Sequence, residues 1–141
     1  MSKQRQKGTL LETLAVLFLQ ARLGDDRIMR MPLSGAKDRG DVAGVRTLLG
    51  EKICIEVKNH ARMDLGTWLR EAEVERGNAD AKVAVVVHKR HGKGQAKDQL
   101  VTMTLEDFAV LLGGERETDK QPPNPNPFRP EAIQQIINER L

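Results

Sequence analysis

The chain has 141 residues, 30% of them charged and 39% apolar, which suits one globular domain with a single core and a single site. The net charge is +3, and the acidic excess after residue 114 leaves +4 on residues 1–114, a balance that favours a polyanionic partner. A single cysteine, Cys54, excludes an intrachain disulfide and a cysteine-rich zinc site. No run reaches the ~20 apolar residues of a membrane span. No leader with a cleavage site is evident, so no membrane partner and a cytoplasmic location are expected.

In chain order, residues 9–22 predict a helix. Thr9 and Glu12 form a T-x-x-E capping-box pattern, and Leu10, Leu14, Leu17, Phe18 and Ala21 recur at helical spacing. Val16 and Leu19 share the opposite face with Glu12, which predicts a helix covered on both sides and a carboxylate among apolar neighbours. Residues 28–33 alternate like a strand, residues 34–40 form a polar loop flanked by glycine, and residues 41–48 read as a short strand carrying Gly44. Residues 52–58 alternate cleanly. Ile53, Ile55 and Val57 share one face; Cys54, Glu56 and Lys58 share the other.

Residues 64–76 predict a second helix, capped by Asp64, striped by Leu65, Trp68, Leu69 and Ala72, and stopped by Gly77. The β-branched run at 83–87 reads as a central strand covered on both faces. A basic, glycine-containing loop follows from His88 to Lys97, then a strand at 100–104 and a short helix at 105–112. The fold class expected is α/β, a mixed central sheet flanked by helices, occupying residues 1–114. Residues 115–129 read as a Pro-rich linker. Residues 130–141 read as a helix that packs back on the domain or is exchanged within a dimer.

The chemistry centres on Asp41 and on Glu56-Val57-Lys58, which begins fifteen residues later. E-x-K on a strand places a carboxylate and an ammonium on one face, and an aspartate at the start of the preceding hairpin strand lies beside the glutamate. Two convergent carboxylates suit Mg²⁺, with the Val57 carbonyl as a further ligand. Such an ion activates water and polarises a phosphate, while Lys58 orients or helps to deprotonate that water and offsets the growing charge. An isolated E-x-K is common on solvated surfaces. Here the triplet ends an apolar strand, follows Gly40-Asp41 at hairpin distance and precedes an amphipathic helix.

Lys3, Arg5, Lys7, Lys37, Arg39, Lys89, Arg90, Lys93 and Lys97 are candidate phosphate contacts. With 3% aromatic residues and no tyrosine, recognition by base stacking is not expected. His60, His88 and His91 have no zinc-site spacing and read as loop residues. Gly92-Lys93-Gly94 lacks the P-loop spacing, so no nucleotide cofactor is implied.

On Lys7-Gly8 with Glu12, Arg30-Met31-Pro32-Leu33-Ser34-Gly35, Gly40-Asp41 and Ile55-Glu56-Val57-Lys58, the sequence resembles the PD-(D/E)XK nucleases. Within them it is most similar to the archaeal-type Holliday junction resolvases, over residues 7–112. The resemblance implies a restriction-endonuclease-like core, a metal site of Asp41, Glu56, Val57 and Glu12, and catalysis by these acids with Lys58 and Ser34. It gives Arg30 a part in cleavage or DNA contact. It further implies Mg²⁺ or Mn²⁺ as cofactor, branched DNA as substrate, a homodimer, and a prokaryotic or viral setting. Gly40 stands where the family has proline, and Asn59-His60 departs from the small or hydroxyl residues usual after the lysine. Three functions follow as expectations: a junction-resolving endonuclease, a duplex-specific restriction or repair nuclease, and a non-catalytic DNA-binding module.

Overall fold

Residues 83–87 stand at the heart of a five-stranded sheet in the computed structural model, which describes residues 2–33, 35–119 and 130–140. The strands are β1 (Met29–Arg30), β2 (Val42–Ala43), β3 (Ile53–Lys58), β4 (Val83–His88) and β5 (Leu100–Thr102), and they lie in that spatial order. β1, β2 and β3 pair antiparallel, β3 and β4 parallel, and β4 and β5 antiparallel. The parallel step is made by helix α2 (Leu65–Ala79); α1 (Lys3–Leu23), α3 (Leu105–Leu111) and α4 (Pro130–Arg140) are the other α-helices among the described residues. The architecture is therefore α/β with a mixed open sheet.

Strand alternation divides the interior in two. Ile55 and Val57 face α1 and join Leu11, Ala15 and Val16 in one core, with Val83, Val85 and Val87 of β4. Cys54 faces the other way, with Ala84 and Val86, against Trp68 and Ala72 of α2. Every residue of β4 is buried, as its unbroken apolar run requires. Glu56 and Lys58 share the Cys54 face, so β3 directs both toward α2.

Several expected boundaries move. α1 begins at Lys3, capped by the Ser2 hydroxyl, which accepts from the Arg5 amide at 3.2 Å. The good helix formers Lys3 to Lys7 carry the helix past Thr9, so Thr9 and Glu12 lie in its interior. α1 is also covered on one side only: Leu11, Ala15 and Val16 are buried, whereas Leu10 and Leu17 are 70% and 59% exposed. The strand expected at 28–33 contracts to Met29–Arg30, and that at 41–48 to Val42–Ala43 with an isolated Arg46–Lys52 bridge. Gly44 breaks the latter. Its φ is +89°, and a Cβ there would stand 2.8 Å from the Arg27 carbonyl oxygen.

α2 runs past Gly77 to Ala79, and Asp80 in left-handed geometry ends it. His88 is the last residue of β4 and not part of the loop: it is buried, with Nε2 2.7 Å from the Thr102 hydroxyl. Burial lowers its pKa, so it adds no charge to the basic cluster. Arg116, two residues past the expected domain boundary, is buried and donates to Asp107 of α3 and to the Lys82 carbonyl. Linker residues 120–129 lie outside the described residues. The expected C-terminal helix is present as α4, with Ile133, Ile136 and Ile137 exposed. Among the described residues no helix is long and apolar enough to cross a membrane.

Candidate active site

The end of β2 creates the site. β2 and β3 pair at Val42 and Ile55, and the Asp41 amide still donates to the Ile55 carbonyl at 2.7 Å. One residue earlier the chain turns away at Gly40, whose φ is +97°. β3 therefore outruns its neighbour, and the Val57 amide on that edge has no strand to pair with. The Asp41 side chain takes the strand's place: Oδ2 accepts from the Val57 N–H at 2.7 Å. A residue's N–H and C=O point to the same strand edge, so the Val57 carbonyl opens onto the same gap. A Cβ at Gly40 would stand 2.9 Å from the Ile55 carbonyl oxygen. With its fixed negative φ, proline cannot occupy this position.

Carboxylates gather round this gap. The Asp41 carboxyl is pushed up to about 7, first by burial and then by the negative charges of Glu56, Glu12 and Asp38, against the opposing Val57 hydrogen bond. Glu12 reaches the site from α1 and is paired with Arg30 at 2.9 Å. Both line a cleft of about 630 Å³ with Lys37, Asp38, Arg39 and Asp41. On the α2 face of β3, Glu56 is buried and its Oε2 has no hydrogen-bond partner. Lys58 stands 3.5 Å from Glu56 Oε1 and 2.6 Å from Glu71 Oε2. Burial works against its ammonium, but Glu71 and Glu56 outweigh that and raise its pKa, so Lys58 is held charged.

Asp41 thus feels the charges of Glu56, Glu12 and Asp38, and Lys58 stands beside Glu56, with the Val57 carbonyl at the edge. An excess of buried negative charge and an orphaned carboxylate oxygen fit a hard divalent cation with oxygen ligands. Ser34, expected to take part in catalysis, lies outside the described residues.

The expected DNA contacts divide. β3 and β4 are parallel, so the basic loop after β4 leaves at the same end of the sheet as Lys58; the Lys89 amide donates to the Lys58 carbonyl at 3.1 Å. The N-terminal turns of α1 sit at that end too, because Asn59 donates to the Lys7 carbonyl and Gln4 to the Asn59 carbonyl. Lys7, Arg90 and Lys93 are exposed there, and Lys37 is exposed at the cleft. Lys89 instead ties the loop together, its ammonium donating to the carbonyls of Arg90 and Lys93. Arg30 is engaged by Glu12, and Arg39 is half-buried.

Three acidic residues near the site are absent from the sequence reading: Asp38, Glu71 and Glu75. Glu75 is buried, and its carboxyl is pushed up to about 11 by burial, then by hydrogen bonding to and the charge of Glu56, and by Asp38. A signal for it exists, since Glu75 falls three residues after Ala72 on the inward stripe of α2. Asp38 is in an exposed loop and carries no such mark. One carboxylate oxygen from each of Asp38, Glu56 and Glu75 lies within 4.8 Å of the others. No protein-family model, curated protein or solved structure matches the chain.

Proposed function

We propose that the chain is a divalent-metal-dependent DNA endonuclease with a restriction-endonuclease-like core, acting on four-way junctions as a homodimer. The observation that carries this reading is the Asp41 carboxylate seated against the Val57 amide where the E-x-K strand outruns β2. It supports the reading because Glu56, whose charge bears on Asp41, precedes Val57 on the same strand, and the Val57 carbonyl faces the Asp41 edge.

Asp41, Glu56 and the Val57 carbonyl would hold Mg²⁺ or Mn²⁺, with Glu12 beside them. When bound, such an ion polarises a scissile phosphate and lowers the pKa of a water. Asp41 Oδ2 is committed to the backbone, so its other oxygen is the one offered as ligand. Lys58 is held as an ammonium and acts as a charge and a hydrogen-bond donor toward the phosphate and the attacking water, not as the base that takes its proton. Lys7, Lys37, Arg90 and Lys93 steer the DNA backbone without reading sequence. A two-fold dimer presents two such sites to the two symmetric strands of a junction. The work of such an enzyme lies with DNA in the cytoplasm of a prokaryotic or virus-infected cell.

Asp41→Asn tests the reading. The amide oxygen still accepts from Val57, so folding and junction binding are retained while cleavage is lost. Cleavage at the wild-type rate by this variant would overturn the assignment.

A further inference from the structure

We propose that Asp38, Glu56 and Glu75 form a second divalent-cation site, on the α2 side of β3, sharing Glu56 with the site at Asp41. The three carboxylates come from three separate parts of the chain: the loop before β2, β3 and α2. Each offers one oxygen within 4.8 Å of the other two. Octahedral ligands at ~2.1 Å from an ion stand about 3.0 Å apart when adjacent and about 4.2 Å when opposite, so the trio draws together by up to roughly 2 Å to share an ion.

A second observation points to a ligand. Glu56 and Glu75 are each 6% exposed, and the Oε2 atom of both is buried without a hydrogen-bond partner. Hydrogen bonding between Glu75 and its neighbours still leaves these two buried oxygens without partners. A divalent ion engages all three carboxylates together. Asp38 is exposed and gives the site an opening to solvent. Asp38 is also held in place: Asn78, one turn after Glu75, donates to its carbonyl at 2.8 Å, and its Oδ1 accepts from the Gly40 amide at 2.9 Å. Its other oxygen is left for an ion.

The nearest sulfur is no competitor. Burial, with the charges of Glu75 and Glu56, pushes the Cys54 thiol up to about 12, and Sγ contacts the Arg39 carbonyl at 3.6 Å. All-oxygen donors select Mg²⁺, Mn²⁺ or Ca²⁺ over softer ions. Ion binding here stands independently of the nuclease reading. A role for the ion in cleavage, clamping the phosphate from the far side of Glu56, rests on that reading.

Mn²⁺ titration of the full chain, followed by the electron-paramagnetic-resonance signal of free Mn²⁺, tests the site. The wild type binds two equivalents. Glu75→Gln and Asp38→Asn each weaken one of them by roughly tenfold or more and leave the other, which Asp41→Asn removes. Asp38→Asn guards against misfolding of the buried Glu75 variant, since its loop is exposed and an asparagine oxygen still accepts from Gly40. A single equivalent that Asp41→Asn removes and Asp38→Asn leaves, or Mn²⁺ binding unchanged in both Asp38→Asn and Glu75→Gln, overturns the proposal. Two equivalents without any DNA cleavage would retain the site and remove the nuclease reading; cleavage with only the equivalent that Asp41→Asn removes would do the reverse.

Discussion

Asp41 Oδ2 accepts from the Val57 amide at 2.7 Å, so a side chain completes a ladder that the backbone abandons at Gly40. The bond fixes the aspartate beside the strand that carries Glu56 and Lys58. It also turns a frayed sheet edge into a place where carboxylates converge. Local chain geometry and the clustering of charge are here a single feature.

Metal-free protein is predicted to lose stability as pH rises. Asp41 is raised from 3.8 to about 7 and Glu75 from 4.5 to about 11, so the folded state holds protons that the unfolded chain has released. Each contribution is fully present below the unfolded value and fades as pH climbs through the folded one. In EDTA, Tm should fall between about pH 4 and pH 8, and Mg²⁺ should restore it at the upper end much more than at the lower. Asp41→Asn should flatten the part of the slope below about pH 7. A Tm in EDTA that does not change with pH would contradict the charge assignment.

Gly40→Ala should destabilise the fold by roughly 1–3 kcal/mol, because the residue must hold positive φ while its Cβ presses on the Ile55 carbonyl. Gly40→Pro, whose ring fixes φ at about −65°, should be worse. Urea unfolding measures both, and wild-type stability in either variant would show that the turn is not required.

Much of this was legible in the residues. The alternation of 53–58 and the β-branched run at 83–87 fix the two central strands, because each pattern has one economical burial. Glu56 and Lys58 stood out as charges on a core-like strand. The flanking strands are shorter than their apolar residues predict, because those residues continue past the points where Gly44 and Pro32 end pairing. A glycine forced into positive φ is visible only once its neighbour is placed. Glu75 is marked by its position in the stripe of Trp68 and Ala72, by the same logic that marks Glu12. Asp38 meets Glu75 through a loop contact that no local pattern encodes.

The buried pair of Arg116 and Asp107 should set where the domain ends. Arg116 is 7% exposed and Asp107 3%, so removing one partner strands the other charge. Arg116→Ala should cost roughly 3–5 kcal/mol, and a chain ending at Gly114 should be destabilised alike. A chain ending at Asp119 should melt as the full chain does. Equal Tm for all of these would place the boundary at Gly114.

The basic loop should separate into contacts and supports. Lys93→Ala and Lys7→Ala should each weaken DNA binding and reduce the slope of log affinity against log salt by about 1. Lys89→Ala should instead release the loop, seen as faster amide hydrogen exchange over residues 90–99, where Gln99 and Lys89 hold its carbonyls. An unchanged salt slope in the first two variants would place the DNA elsewhere.

Cleavage of a labelled four-way junction beside its linear duplex arms, in Mg²⁺ and in EDTA, tests the central claim most directly. Symmetric nicks in the junction alone, present with Mg²⁺ and absent with EDTA or in Asp41→Asn, are the predicted result. Cutting of every duplex alike would contradict the junction reading, and no cutting with Mg²⁺ or Mn²⁺ would contradict the nuclease itself.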